Sequence, residues 1–352
     1  MTTIGKRKAD HLALCATDEV AFRTTTTLFE QVRFVHDALP DLDAAAIDTS
    51  TTVLGKKLRA PIVIAAMTGG TEEAARVNRE LARIAEERGY GFGLGSQRAM
   101  HVRADSAPTY AVRDVAPNAL VLGNLGVVQA RQMETGAVEA LAKGVGADAI
   151  CIHLNPAMEL VQPGGDRDFS GGLETIARLV RELSIPVVVK ETGCGISRHV
   201  ARRLVSAGVR HVDVSGAGGT SWVAVETKRA DAAGDAKARA LGEAFWDWGI
   251  PTAACVGALA PLGLDTVVAT GGIASGVDVA RAVALGASAA GIARPALKAL
   301  TAGGRDAAVA LLDAFEAELR AVMLLTGSKD LSALRRAPRV LGSELRLWIE
   351  QS

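Results

Sequence analysis

The stretch His153–Phe169, HLNPAMELVQPGGDRDF, follows the apolar run DAICI and brings His153, Glu159, Asp166, Arg167 and Asp168 together in a short length of chain. A strand that ends in such a group is not finishing a core. Side chains of these types can hold an anion, ligate a hard cation through oxygen or move a proton. Met158 stands apart from them, because a thioether has no proton to give and is only a weak acceptor. A second capable group is Lys190, which ends the run PVVVKE, and a third comprises ATGGIASG (269–276) and GIARPA (291–296). The small residues of the third group would expose backbone N–H groups to a phosphate, and a helix N-terminus would add its positive end. A fixed cation at Lys190 would stabilise negative charge on a flavin ring. For the glycines the alternative is ordinary turn chemistry, and for Lys190 a salt bridge with a neighbouring carboxylate. Together they point to flavin mononucleotide (FMN), with a phosphosugar or another phosphate ester left open. Arg7, Lys8 and His11 form a short cationic cluster near the start of the chain. It reads as solvated charge unless Arg98 and His153 converge on the same anion, which spacing does not establish.

These groups need a scaffold, and the chain supplies eight apolar, β-branched runs: 61–67, 90–95, 118–126, 148–155, 186–191, 209–216, 265–272 and 288–295. They are continuous rather than alternating, as parallel strands covered on both faces are. Helical patterns lie between them. Thr71 is an N-cap candidate for TEEAARVNRELARIAEERG, Glu72 and Glu73 suit its first turn, and Gly89 follows its last. Eight strands alternating with helices predict a closed (β/α)8 TIM barrel, with an open doubly wound sheet as the alternative. One barrel domain is expected over the whole 1–352, with the barrel proper at about 60–300. The N-terminal segment 1–59 and C-terminal helices from 300 to 352 would cover it. The long gap between strands six and seven, built around TSWVAVETKRADAAGDAKA, reads as an insertion over the barrel mouth.

In such barrels the chemistry sits at the C-terminal ends of the strands. Those ends read Met67-Thr68-Gly69-Gly70, Ser96-Gln97-Arg98, Asn124, His153-Leu154-Asn155, Lys190-Glu191, Ser215, Gly271-Gly272 and Ala293-Arg294. Polar groups or glycines at all eight ends favour a large polar ligand in the mouth.

Composition narrows the class of function. Lys+Arg and Asp+Glu number 39 each, so net charge gives no reason to expect nucleic acid or a membrane surface as a partner. Four scattered cysteines form no C-x-x-C box, which argues against a metal box or disulfide framework. There is no signal-peptide pattern at the start and no run of about 20 apolar residues, so a cytoplasmic, soluble protein is expected.

Taken together, RKADH (7–11), MTGGT (67–71), GSQRA (95–99), NLG (124–126), HLNPAMELVQPGGDRDFSG (153–171), VKETGCGIS (189–197), DVSGAGGTSW (213–222), FWDWGIPT (245–252), ATGGIASGVDVARAVALGA (269–287) and LRRAPRVL (334–341) resemble the type 2 isopentenyl diphosphate isomerases. These are FMN-dependent (β/α)8 barrels, and the likeness spans nearly the whole chain. The resemblance implies isomerisation of isopentenyl to dimethylallyl diphosphate with no net redox change, using reduced FMN as acid and base, Mg²⁺, and NADPH as reductant. It places Ala66, Met67, Thr68, Ser96, Asn124, Lys190, Ser215 and Thr220 at the flavin, with Gly271, Gly272, Ala293 and Arg294 at its phosphate. Arg7, Lys8 and Arg98 match positions that hold the substrate diphosphate, with His11, His153 and Asn155 nearby. Glu159 matches the carboxylate that binds Mg²⁺, and a homo-oligomer of four or more copies is implied. Two positions depart from the family pattern: Met158 replaces a glutamine assigned to proton removal or relay, and Gly164 replaces a glutamate. The first change leaves open a paralogue that protonates and then rearranges or cyclises a longer prenyl diphosphate. An oxidase or dehydrogenase of the same barrel class is disfavoured, because no histidine base aimed at a hydroxy acid can be assigned.

Overall fold

The computed structural model describes residues 3–351, with side chains from Arg7 onward except at position 104. The first two residues of the expected N-terminal extension, and Ser352, lie outside this range. All eight expected strands form: β1 Ile62–Ile64, β2 Gly91–Gly93, β3 Leu120–Gly126, β4 Ala149–Leu154, β5 Val187–Glu191, β6 His211–Asp213, β7 Thr266–Thr270 and β8 Ala289–Ile292. Each pairs in parallel with the next, and β8 pairs with β1, so the sheet closes as a (β/α)8 barrel and the open sheet is excluded.

The two-residue period of a strand explains what reaches the mouth. Val63, Leu122, Cys151 and Val188 pack together inside the barrel, while Ile62, Val121, Ile150 and Val189 belong to the larger core under the helices. Two residues beyond Leu122, Cys151 and Val188, the same inward parity falls on Asn124, His153 and Lys190. The register sets His153 opposite Lys190 and Lys190 opposite Asp213. The apolar filling thus gives way to a polar layer at the C-terminal ends.

The other end is plugged. An antiparallel hairpin of Thr51–Val53 and Lys56–Leu58 turns at Leu54 and Gly55, with φ of 50° and 80°, as a tight two-residue hairpin turn requires. Its Val53 and Leu58 pack on Leu120, Ala149 and Ala289, which begin β3, β4 and β8.

The Glu72–Arg88 helix has the ends its sequence announces. Thr71 accepts from the Ala74 N–H, and Gly89 closes the helix in the left-handed region at φ 64°. Between β6 and β7 the chain forms three α-helices, Trp222–Ala232, Ala236–Ala244 and Thr252–Leu259, the last running into a short 3-10 turn at Ala260–Leu262. The C-terminal cover is not wholly helical. After the Leu331–Arg336 helix, Arg339–Leu341 runs as a strand antiparallel to Val32–Phe34, so the covers from the two ends of the chain are stitched to each other. Among the described residues no helix is long and apolar enough to cross a membrane.

Candidate active site

At the barrel mouth lies a cavity of about 1760 Å³, counting the space at its opening. All the residues assigned from the sequence line it except Thr68, which is buried but not part of the lining.

Lys190 and Asp213 are both buried, with Nζ 2.9 Å from Oδ2. The Thr270 hydroxyl donates to the same Asp213 oxygen at 3.0 Å. Lys190 therefore makes the salt bridge that was one of its alternatives, yet it still faces the cavity. A buried ammonium needs such a partner to keep its charge. Ser215, two residues past Asp213, holds φ 37°, an uncommon conformation for a non-glycine residue and one that clusters at ligand sites.

His153 Nδ1 lies 2.8 Å from Asn124 Oδ1. Burial, with the charges of Lys8 and Lys190 adding, pulls its imidazole down to about 3, so the ring is neutral. Accepting at Asn124 fixes the proton on Nδ1 and leaves Nε2 as an acceptor.

The opposite wall suits a phosphate. Gly271 and Gly272 hold φ of 110° and 72°, and a Cβ on Gly219 would sit 2.4 Å from the Gly272 nitrogen. Only glycine permits that approach. The Arg294–Leu325 helix starts with no side-chain cap, so its first N–H groups are free for an anion. Buried polar atoms without a partner include Thr68 Oγ1 and Arg294 Nη1, as well as Arg7 Nε across the mouth. Buried polar atoms are nearly always satisfied, and Arg294 and Arg7 line one cavity. The donor set and the glycine cradle fit an FMN.

The short Pro156–Val161 helix presents Met158 and Glu159 to the same space. Glu159 is buried and held by three donors: Asn155 Nδ2 on Oε1 at 3.0 Å, and Gln162 Nε2 and the Asp166 N–H on Oε2 at 3.1 and 2.8 Å. A carboxylate has about four lone-pair sites, so one remains, on Oε1. Among the described residues no group of three or more His, Cys, Asp or Glu could hold a metal. A single carboxylate oxygen instead fits Mg²⁺, which is commonly bound by one carboxylate plus phosphate oxygens and water. Met158 Sδ lies 3.9 Å from Asn155 Nδ2, a weak contact. Gly164 has φ 67° with open space around it, a turn position. Asp166, Arg167 and Asp168 brace the loop: Asp166 to Gln129, Arg167 to the Glu159 carbonyl and Asp168 to Arg131.

The cationic cluster is not stray surface charge. Arg7, Lys8 and Arg98 share the cavity, and burial plus the charges of Arg7 and Arg98 pulls the Lys8 ammonium down to about 8. Mutual repulsion of this kind is relieved by an anion. His11 also lines the cavity, but its Nε2 is committed to Glu226 at 2.7 Å, so only Nδ1 is free for a ligand.

Asp213, Gln162, Trp222 and Glu226 were not singled out from the sequence. Gln162 carried a signal, lying one helical turn beyond Glu159. So did Trp222, Glu226 and Arg229, whose spacing of four and three residues puts them on one helix face.

The sequence profile of the FMN-dependent dehydrogenase family matches residues 2–155 and 154–340. The chain is 44% identical over 349 residues to an isopentenyl-diphosphate delta-isomerase of Methanothermobacter thermautotrophicus, covering 99% of this chain and 96% of the relative. It is 46% identical to one from a Synechococcus species, covering 97% of each. Among solved structures, a mandelate oxidase variant superposes with a TM-score of 0.65 at 20% identity, over 97% of this chain and all of the other. That likeness concerns the fold alone.

Proposed function

Because the chain belongs to the isopentenyl-diphosphate delta-isomerase family, within the wider FMN-dependent dehydrogenase family, we propose that it converts isopentenyl diphosphate to dimethylallyl diphosphate with FMN and Mg²⁺ bound at the barrel mouth. The observation that carries this reading is the pair of unpartnered buried atoms Arg294 Nη1 and Arg7 Nε, both on residues that line the cavity. Bound FMN, kept reduced by NADPH, would supply acid and base chemistry to the alkene, and Glu159 would hold Mg²⁺ at the diphosphate end.

The chain's own residues do the rest. Arg7, Lys8 and Arg98 hold the anionic end, and Glu159 would hold the metal through its free Oε1 position. Asn124, Lys190, Ser215 and Thr220 hold the ring, with Ala66, Met67 and Ser96 alongside, while Gly271, Gly272, Ala293 and Arg294 receive the cofactor phosphate. Neutral His153 offers Nε2 as an acceptor and adds no charge beside Lys8. The apolar wall, including Leu12, Met158 and Trp222, keeps water from a carbocation-like species. The family profile supports a flavin site without specifying a redox outcome, since one scaffold hosts several chemistries. A reducing compartment suits the four unbridged cysteines. NMR of isopentenyl diphosphate incubated with the reduced, FMN-loaded protein tests the reading: the exocyclic methylene signal is expected to give way to that of the trisubstituted alkene.

Lys8 makes substrate affinity depend on pH. Its depressed pKa means that the ammonium is charged below about 8 and neutral above it. KM is expected to rise as pH passes through that value, with kcat changing less, and Lys8→Met should remove the inflection.

Met158 favours a second reading, a longer prenyl diphosphate, because an apolar, polarizable side chain suits a tail or a rearranging cation. Met158→Gln is expected to raise isopentenyl diphosphate turnover, by as much as ~10²-fold if a proton relay is restored. Unchanged or lower turnover in a folded, flavin-loaded variant, together with products from geranyl diphosphate, would favour the second reading.

A further inference from the structure

Glu226 is fully buried (0% exposed), yet it does not line the cavity. It lies on the Trp222–Ala232 helix of the β6–β7 insertion. Its Oε1 meets His11 Nε2 at 2.7 Å and its Oε2 accepts from Arg229 Nη1 at 2.6 Å. Burial works to raise the carboxyl, but the His11 hydrogen bond and the nearby charges of His11 and Arg229 outweigh it and hold it below the ordinary value. Burial also pulls His11 down, against Glu226. The pair is thus a buried carboxylate hydrogen-bonded to His11 Nε2.

The neighbouring contacts lie on the same helix face. Trp222 meets the His11 ring edge-on at a centroid distance of 5.1 Å, and Arg229 reaches Asp10 at 3.3 Å. Three side chains one turn apart therefore grip the Thr3–Cys15 helix at Asp10 and His11. One turn before His11, that helix carries Arg7 and Lys8 into the cavity. Glu226 also attracts Arg7, offsetting part of the repulsion from Arg98 and Arg229.

We propose that the β6–β7 insertion is a latch for the cationic N-terminal helix, and that Glu226 is a positioning residue which, through His11, holds Arg7 and Lys8 over the barrel mouth to receive a diphosphate. This deepens the proposed function and rests on its assignment of the diphosphate end. Holding the helix in advance removes an ordering cost from binding. If the latch is cut and the helix is docked only about a tenth of the time, apparent affinity falls about tenfold.

The test uses the full-length, FMN-loaded protein with Glu226→Ala, His11→Ala and the double variant, and reads inorganic pyrophosphate binding by calorimetry. Each single variant is expected to weaken binding by about tenfold or more, and the double by little beyond either, because both cut one connection. Trypsin provides a second readout: cleavage after Arg7 and Lys8 should be slow in the wild type and fast in each variant. A Glu226→Ala protein that binds pyrophosphate like the wild type and resists cleavage there overturns the latch, as do fully additive losses in the double variant. Should Glu226→Ala not fold, Glu226→Gln, which retains an oxygen for His11 but no charge, is expected to fall between wild type and His11→Ala in both readouts. Wild-type values for Glu226→Gln would overturn the proposal. Should the wild type bind no pyrophosphate, the diphosphate assignment fails, and the cleavage pattern alone decides whether the helix is latched.

Discussion

Replacing Glu159 with Gln is expected to cut turnover at saturating Mg²⁺ by on the order of 10²–10³-fold, the loss typical of one oriented electrostatic group at a reacting centre. The carboxylate accepts from Asn155, Gln162 and the Asp166 N–H, so all but one of its lone-pair sites are filled. An amide placed there has to turn an NH₂ toward at least one of those donors, and an unsatisfied buried donor costs about 1–3 kcal/mol. The variant should therefore also melt at a lower temperature. Its flavin spectrum should be unchanged, since Glu159 is not among the groups assigned to the cofactor. Wild-type turnover with an unaltered Mg²⁺ requirement would mean that the metal is held elsewhere.

The second large effect is on stability. Lys190→Ala leaves Asp213 buried with only the Thr270 hydroxyl and the Ser215 N–H for company. Removing one partner of a buried ion pair typically costs about 3–5 kcal/mol. Thermal denaturation should show a clear drop in Tm, and FMN content should fall with it. A Lys190→Met, Asp213→Leu double variant is expected to regain much of the stability, because apolar replacement of both members removes the unpaired charge. It should not regain turnover. A Lys190→Ala protein as stable as the wild type would show that Asp213 does not depend on Lys190 for its charge.

The barrel and much of its mouth were legible in the sequence because strand parity is a local rule. Continuous apolar runs marked all eight strands, and the inward parity that packs Leu122, Cys151 and Val188 delivers Asn124, His153 and Lys190 to the polar layer. Helix punctuation at Thr71 and Gly89 was equally local. What was not legible depends on contacts across long stretches of chain. His11 and Glu226 are 215 residues apart, and nothing in RKADH says which carboxylate it will meet. The pairing of Val32–Phe34 with Arg339–Leu341 joins two three-residue strands from opposite ends, each too short to announce itself. Asp213 was hidden for another reason. It ends the short β6, and only its register with Lys190 reveals a buried pair.

The central claim is that a flavin barrel here catalyses a reaction with no net redox change. The direct measurement is anaerobic conversion of isopentenyl diphosphate to dimethylallyl diphosphate, with Mg²⁺ present, comparing FMN left oxidised with FMN reduced once by dithionite. Many turnovers per reduced flavin, no loss of the reduced spectrum and no product from the oxidised sample are predicted. A folded, FMN-loaded protein that makes no product when reduced, or that consumes one reducing equivalent for each product formed, would contradict the account.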